Sequence, residues 1–263
     1  MYHRKKKNSI DPKKLIFGRH PVMDALDAGT NLDKIMLSAK VKGPFEKELR
    51  SKCKTANIPL YIVQKERLNF ITQKNHQGVL GFIAEITYQE IEHVYPLIFE
   101  GGETPLLLML DGVTDVRNMG AIARSALASG AHALIVPQKG TAQINAEAIK
   151  SSAGALTKIP VCRTASLENA LDYLVENGVQ VVSADLSGKK YLQSLDLSLP
   201  TVILLGSEDE GIRPHLLRKS TEIFKIPMKG EMDSFNVSVA AGIVLYESLR
   251  QREITDGGYS MEI

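Results

Sequence analysis

The chain has 263 residues, of which 44% are hydrophobic and 24% are charged, and its net charge is only +2. These values are typical of a soluble globular protein, and no stretch approaches the roughly 20 apolar residues that span a bilayer. The length leaves room for two modest domains. The two cysteines, Cys53 and Cys162, are far apart and have no further Cys or His at metal-ligand spacing, which argues against a zinc site or a disulfide framework.

The first 13 residues are predicted to be a basic flexible arm. The run from Arg4 to Lys7 is not followed by the apolar core that a secretory signal needs, so the sequence predicts a cytoplasmic protein. The arm either contacts nucleic-acid phosphates or is only a solubilising tail, and the pattern leaves both interpretations open.

Residues 14–88 are predicted to form a small α/β domain. A helical pattern in HPVMDALDAG ends at Gly29, and strand-like stretches follow at KIMLS, IPLYIV and GVLGFIAEI. Residues 89–104 hold Pro96, Gly101 and Gly102 around a short apolar patch. This composition predicts a linker.

Residues 105–252 are predicted to form a second α/β domain with a buried parallel sheet. Short apolar runs such as PLLLML, ALIVP, VQVVSA and TVILLG alternate with helical stretches. A long helix is predicted from Ser234, a good N-cap residue, and residues 253–263 are predicted to be a flexible tail.

Three segments combine polar residues and glycine where a predicted strand ends, which is where open α/β sheets bind ligands. In residues 110–126, a strand ends at Asp111, Asn118 follows in a turn, and Arg124 lies on the helix beyond. If that helix begins near Asn118, Arg124 lies off the packed row and can face a ligand. A surface arginine is the alternative interpretation.

The second segment, residues 202–214, places Gly206 at a strand end, followed by Glu208 and Gly211 in a tight turn. Glycine at a strand end lets a ligand approach the backbone closely, although a glycine turn with acidic residues is also a common loop. In the third segment, residues 226–242, Ser234 and Asn236 lie at a helix start. They either offer groups to a ligand or only cap the helix.

Together and in this order, the three segments resemble the signature motifs of the SpoU/TrmH family of RNA ribose methyltransferases. HQGVLGFIAEI at residues 76–86 resembles the segment that closes the N-terminal substrate-binding domain of that family's ribosomal members. The resemblance is strongest to the RlmB-like branch, which methylates a guanosine ribose in large-subunit (23S) ribosomal RNA.

The resemblance implies a C-terminal α/β parallel-sheet domain of the SPOUT type, tied in a trefoil knot, and a smaller N-terminal α/β domain that binds RNA. Pattern alone would not predict a knot, because true knots are rare. It also implies S-adenosylmethionine as methyl donor, no metal, and a homodimer with the site near the subunit interface.

By the same resemblance, five residues match the family's polar site: Asn118, Arg124, Glu208, Ser234 and Asn236. Six more are expected to contact the cofactor: Leu205, Gly206, Ser207, Ile226, Met228 and Phe235. Arg124 ranks first among the catalytic candidates. A guanidinium pKa above 12 makes literal deprotonation costly, so we expect Arg124 to orient the nucleotide or polarise the hydroxyl.

The sequence departs from the common family pattern at two places. Val116 and Arg117 stand where many members have a proline, and Phe235 stands where a leucine is usual. Neither change removes a polar group, and Arg117 offers an additional phosphate contact.

The predicted function is transfer of a methyl group from S-adenosylmethionine to a ribose 2′-hydroxyl of RNA, in large-subunit ribosomal RNA. Two alternatives remain: transfer RNA as the substrate, or a non-catalytic RNA-binding assembly factor. A nicotinamide-dependent enzyme is disfavoured because no G-x-G-x-x-G turn follows an early strand.

Overall fold

The computed structural model describes residues 14–207, 209–229 and 234–255, and it divides into two compact units that meet between Glu85 and Ile86. The predicted basic arm (1–13), Glu208 and all but the start of the predicted tail lie outside the described residues. No described helix is both long and apolar enough to cross a membrane.

The first unit is a four-stranded sheet with helices. Its elements are β1 (Leu15–Phe17), α1 (Arg19–Asp27), β2 (Leu32–Ser38), α2 (Pro44–Thr55), β3 (Leu60–Val63), α3 (Lys65–Ile71) and β4 (Val79–Ile83). The strand order is β1-β4-β2-β3, with β4 antiparallel to both of its neighbours and β2 parallel to β3. This is the small α/β unit that the sequence predicts.

The second unit is an eight-stranded parallel sheet covered by helices. Its elements are β5 (Tyr88–Gln89), α4 (Ile91–Glu100), β6 (Leu106–Asp111), α5 (Val116–Ala128), β7 (Ala133–Pro137), α6 (Ala146–Ser151), β8 (Val161–Thr164), α7 (Leu167–Glu176), β9 (Gln180–Ala184), β10 (Lys190–Tyr191), β11 (Thr201–Gly206), α8 (Pro214–Leu217), β12 (Glu222–Lys225) and α9 (Val237–Thr255). The strand order is β10-β12-β9-β11-β6-β7-β8-β5, and every pairing is parallel.

Burial on both faces explains why the strands of this sheet are continuous apolar runs. All six residues of β6 are buried, as expected for a parallel strand with helices on both sides. Residues of α5 and α9, such as Ile122 and Val244, pack in one core cluster, and residues of α4 and α7, such as Ile91 and Leu171, pack in another.

The stretch that the sequence predicts to be a linker is different in the structure. Residues 91–100 form α4, and Ile91, Val94, Tyr95 and Ile98 are buried in the core of the second unit. The apolar spacing of three and four residues makes this helix amphipathic. Pro96 lies inside α4, so proline and glycine content alone misplaced the boundary.

Candidate active site

Two cavities open at the carboxyl ends of the central strands of the second unit. The first has a volume of about 400 Å³ and is lined by residues that follow β6, β7 and β11. The second has a volume of about 410 Å³ and is lined by residues that follow β9, β11 and β12 and by the start of α9. Both are lined by Ser207, Asp209, Glu210, Gly211 and Val237. The two cavities are therefore neighbours that share one wall.

The shared wall is a tight turn, residues 207–211, at the end of β11. The backbones of Ser207 and Gly211 exchange hydrogen bonds of 3.2 and 3.0 Å, and Ser207 Oγ accepts one from the Glu210 amide at 3.1 Å. A Cβ on Gly206 would lie 2.1 Å from the carbonyl carbon of Gly211. Only glycine fits at the base of this turn, because the two backbone segments touch there.

The turn is tied to β6 by an ion pair between the buried Asp111 and the exposed Arg213. The Asp111 side chain is only 3% exposed. Its carboxylate accepts hydrogen bonds from the Arg213 amide at 2.9 Å and from the Arg213 Nε at 2.8 Å, and Nη2 lies 2.8 Å away. The contact joins residues that are 102 positions apart in sequence.

The first and third polar segments meet through two asparagines. Asn236 Nδ2 donates to Asn118 Oδ1 at 3.2 Å, across 118 positions of sequence. Both lie at helix starts: Asn118 is in the first turn of α5, and Asn236 directly precedes α9. The structure thus brings together two residues that the sequence predicted for one site.

The starts of these two helices differ by a few residues from the sequence prediction. Asp115 caps α5, its Oδ1 accepting from the amides of Arg117 and Asn118 at 2.7 and 3.1 Å. Asn236, and not Ser234, precedes α9, and its Oδ1 accepts from the Ser238 amide at 2.9 Å. The prediction that α9 begins at Ser234 was wrong, because Asn236 supplies an equally good capping oxygen two residues later.

The residues expected to contact a cofactor all lie around the second cavity. Its lining includes Leu205, Gly206, Ser207, Ile226, Met228 and Phe235, and also Ser234. Asn118 lines the first cavity. The interpretation of Asn236 as a helix cap is also correct. Its side chain caps α9 through Oδ1 and donates to Asn118 through Nδ2.

Asn236 lines neither cavity, although it hydrogen-bonds to Asn118 in the first. Arg124 also lies away from both. It lies on α5, exposed to solvent, and neither cavity lining includes it. Glu208 lies outside the described residues. Their predicted roles remain predictions.

The sequence interpretation also missed residues that line the cavities. Asp185 and Leu186 follow β9 at the second cavity, and Lys139 and Gly140 follow β7 at the first. The rule that ligands bind beyond the carboxyl ends of parallel strands would have found them, had it been applied to every strand of the sheet. The ion pair of Arg213 could not be found in this way, because its partner, Asp111, is 102 positions away in sequence.

The titratable side chains in the described part of the chain form no cluster suited to a metal. No group of three or more His, Cys, Asp or Glu is placed to hold an ion there. Both cysteines are buried free thiols, and burial raises the pKa of Cys53 to about 11 and that of Cys162 to about 12. Neither is a reactive thiolate near neutral pH.

Family comparison decides between the classes that this geometry allows. The SpoU rRNA Methylase family matches residues 105–246, more than half of the chain. This protein belongs to the SpoU methylase family. A second family, described as RNA 2′-O ribose methyltransferase substrate binding, matches residues 15–89 of this SpoU protein, so the two matches fall on the two units.

Relatives and solved structures agree with this assignment. The putative TrmH family tRNA/rRNA methyltransferase YacO of Bacillus subtilis is 32% identical over 238 residues, covering 90% of this SpoU chain and 95% of that protein. The SpoU methyltransferase AviRb from Streptomyces viridochromogenes, in complex with AdoMet, matches with a TM-score of 0.58 and 25% identity over 90% of both chains.

A third relative is the AdoMet-bound rRNA methyltransferase from Sinorhizobium meliloti. It matches with a TM-score of 0.58 and 28% identity over 90% of this chain and 86% of that one. The SpoU fold class expected from the sequence is confirmed. The trefoil knot stays a prediction.

Proposed function

We propose that this protein transfers a methyl group from S-adenosylmethionine to a ribose 2′-hydroxyl of RNA, and that its target is a guanosine of large-subunit ribosomal RNA. The observation that carries the proposal is the pair of neighbouring cavities with one shared wall. A transfer reaction needs two ligands held side by side, and two cavities with a common wall support such an arrangement. The family supplies the reaction class.

The second cavity fits a nucleoside-sized cofactor. Its volume of about 410 Å³ lies within the usual 300 to 1,000 Å³ of small-molecule sites. Phe224, Ile226 and Phe235 supply apolar walls, and Gly206 and Ser207 at the end of β11 complete one side of the lining. When bound, the sulfonium of S-adenosylmethionine supplies an already activated methyl group.

The first cavity would receive the target ribose. Asn118, Asp115 and Lys139 line it, and all three can hydrogen-bond or pair with a nucleotide. Residues of the second cavity such as Ile226 and Phe235 would hold S-adenosylmethionine, which would supply the methyl group. The ribose 2′-hydroxyl would give its proton to solvent or to a carboxylate of the shared wall. Alignment of two ligands can lower the barrier by about 7 to 11 kcal/mol. Acid–base help accelerates a reaction by roughly 10² to 10⁴, which corresponds to only about 3 to 5 kcal/mol.

The polar residues of the three segments have separate roles in this proposal. The Asn118–Asn236 hydrogen bond fixes the start of α9 against the start of α5, and Ser234 lines the second cavity. Glu208 keeps the role expected from the family resemblance, which is to help fix the site. Arg124 orients the nucleotide or polarises its hydroxyl. A guanidinium is a poor base, so we assign it no proton transfer.

A homodimer would explain the position of Arg124. The residue is exposed on α5, which packs on α9, and Leu127, Val239 and Tyr246 on the same two helices are also exposed, with 38%, 48% and 61% of their surface accessible. We propose that this face meets a second copy and that Arg124 serves the partner's cavities.

Mixing two inactive variants tests this arrangement. If Arg124 acts across the interface, mixing Arg124→Ala with Asn236→Ala chains should restore up to about a quarter of the wild-type rate, because mixed dimers hold one intact site. If Arg124 acts on its own subunit's site, mixed dimers hold no intact site and the rate stays low. A monomer in light scattering would contradict the proposal directly.

The first unit would hold the RNA beyond the target nucleotide. Arg19 lies 5.0 Å above the Phe45 ring, and its amide donates to Gln77 Oε1 at 3.0 Å. Lys74 lies 5.1 Å above the Phe17 ring. Cations next to aromatic rings suit unpaired RNA loops, whose bases stack while their phosphates need charge.

The test is transfer of labelled methyl from S-adenosylmethionine to separated ribosomal and transfer RNA from a host that lacks this gene. Ribose label on large-subunit RNA is the expected result. Label on transfer RNA would keep the chemistry and change the substrate, an alternative suggested by the tRNA/rRNA name of the Bacillus relative. RNA binding without cofactor binding would instead identify a non-catalytic assembly factor.

A further inference from the structure

The turn at residues 207–211 is held at both of its ends by the same pair of strands. At its start, Gly206 on β11 pairs with Asp111 on β6. At its exit, Arg213 returns to the same Asp111 through its backbone amide and its guanidinium. Asp111 therefore holds both ends of the turn, one through strand pairing of its backbone and the other through its carboxylate.

Close packing of the backbone leaves the turn little room to take another position. Gly112, next to Asp111, has a φ of +75°, and a Cβ there would lie 3.3 Å from Ser207 Cβ. Gly206 contacts the backbone of Gly211 and Ile212. A displacement of Arg213 would therefore move the wall that both cavities share.

The Asp111–Arg213 ion pair is shielded from water on the Asp111 side, so the buried carboxylate depends on this arginine. The Asp111 side chain is 3% exposed, whereas the Arg213 side chain is 48% exposed and lines the first cavity. A buried carboxylate is strongly disfavoured without its partner. The planar guanidinium meets the carboxylate through Nε and Nη2, a geometry that lysine cannot reproduce.

We propose that Asp111 and Arg213 are positioning residues for methyl transfer, acting through the 207–211 turn to hold the ribose oxygen and the methyl carbon in line. The inference rests on the proposed function. A misplacement of about 1 Å can cost a factor of about 100 in rate. Loss of the pair should therefore slow the transfer while each ligand still binds.

The experiment compares two matched conservative variants, Arg213→Lys and Arg250→Lys. Arg250 also meets a carboxylate through Nε and Nη2, at 2.9 and 2.7 Å from Glu247, but it lies on α9 away from both cavity linings. Single-turnover methyl transfer at saturating RNA and S-adenosylmethionine should fall about 30- to 100-fold for Arg213→Lys and less than threefold for Arg250→Lys. Cofactor affinity by calorimetry should stay within threefold for both.

Asp111→Asn is the second variant. It keeps the shape of the side chain but removes its charge, and it should give a defect similar to that of Arg213→Lys. The double variant should be no slower than the slower single variant, because both substitutions break the same contact. Should Asp111→Asn fail to fold, Arg213→Lys still decides the question.

Amide hydrogen exchange gives a readout that does not depend on activity. Exchange at residues 207–212 should rise about tenfold or more in Arg213→Lys and stay unchanged in Arg250→Lys. A normal transfer rate, or unchanged exchange, in Arg213→Lys would overturn the positioning role while leaving the proposed function intact. Parallel loss of cofactor binding and rate would also overturn it, in favour of a purely structural role. A wild-type chain that methylates no RNA would overturn both the proposed function and this inference.

Discussion

Two tight turns, one in each unit, are each closed by a buried polar side chain, but they are closed by different chemistry. In the first unit, the turn at residues 76–78 contains Gln77 with a φ of +50°, and the His76 ring beside it is 5% exposed. The Gly78 amide donates to His76 Nδ1 at 3.0 Å, and His76 Nε2 lies 2.8 Å from Asn69 Oδ1. In the second unit, Asp111 holds the 207–211 turn through an ion pair.

The difference concerns what each turn depends on. Since Nδ1 of His76 accepts a hydrogen bond, the ring must be neutral and Nε2 must donate to Asn69. The first turn therefore depends on the protonation state of one ring. The second depends on two matched charges and on backbone contacts that leave no room for a side chain.

Replacing one strand glycine in each unit by alanine should show how differently the two units tolerate an added methyl group. In Gly206→Ala the new Cβ would lie 2.1 Å from backbone of the turn, whereas in Gly81→Ala on β4 its closest contact, the Ile16 Cβ, would be 3.7 Å away. We expect Gly206→Ala to lose cofactor binding and at least about 2 kcal/mol of unfolding free energy through overpacking. Gly81→Ala should change stability by no more than about 1 kcal/mol.

Calorimetry with S-adenosylmethionine and urea unfolding measure the two effects. Normal cofactor affinity in Gly206→Ala would show that the turn can shift without cost. The idea of a rigid shared wall would then be wrong.

The link between the first and third segments can be tested with two helix caps. Asn236→Ala removes both the cap of α9 and the contact to Asn118. Asn145→Ala removes only the cap of α6, in which Asn145 Oδ1 accepts from the Ala148 amide at 3.0 Å. Each loses about 1 kcal/mol as a cap. Only Asn236→Ala should also slow single-turnover methyl transfer, by about 100-fold.

The comparison of the two rates at equal folded fraction is the deciding measurement. Equal slowing in both variants would reduce Asn236 to a structural cap. It would also leave the Asn118–Asn236 contact without a role in the transfer.

Much of this site could be predicted from the sequence because it lies where strands end. Gly206 and Ile226 lie where recognisable apolar strands end, and local pattern reports such positions. Phe235, and the cofactor that these residues are expected to contact, came from the family resemblance instead. The parallel sheet was predictable for the same reason: its strands are buried on both faces and show continuous apolar runs.

Other features depend on contacts that no local pattern contains. The Asp111–Arg213 pair joins residues 102 positions apart, and the Asn118–Asn236 contact joins residues 118 apart. Helix α4 was missed for the opposite reason: Pro96 and the glycines after it suggested a linker, but burial of four apolar side chains outweighs one proline. Packing against a sheet cannot be read from composition.

RNA affinity should depend on Arg19, which lies next to the 76–78 turn of the first unit, whereas cofactor affinity should not. Arg19→Ala removes the cation above Phe45, whereas Arg50→Ala removes an exposed arginine already paired with Glu46 at 2.9 Å. We expect Arg19→Ala to weaken RNA binding about tenfold, roughly 1.4 kcal/mol, and Arg50→Ala to change it less than threefold. Filter binding at several salt concentrations measures this, with S-adenosylmethionine affinity as the internal control.

The reverse order, with Arg50→Ala the weaker binder, would move the RNA surface to the other end of α2. Equal small effects would leave only nonspecific charge. Either result would remove Gln77 and Arg19 from the proposed RNA surface.

The smallest expected effect is the pH dependence of the first turn. Burial lowers the pKa of His76, and the nearby charge of Lys65 lowers it further. The unfolded chain, with a histidine pKa of about 6.5, therefore binds a proton more readily than the folded chain does. Unfolding takes up a proton, so the free energy of unfolding falls as pH decreases below about 6.5 and through the folded pKa.

NMR titration of the histidine ring protons in the full chain measures this pKa directly. His76 should titrate below the value of about 6.5 that an unperturbed histidine has, because burial and Lys65 lower its pKa, and His76→Gln identifies its signal. A His76 pKa at or above about 6.5 would mean that the ring is protonated in the fold at mildly acidic pH. The Gly78 amide would then have no acceptor on the ring, and the left-handed Gln77 would need another source of stability. The proposed contrast between a turn held by a neutral ring and a turn held by an ion pair would not survive that result.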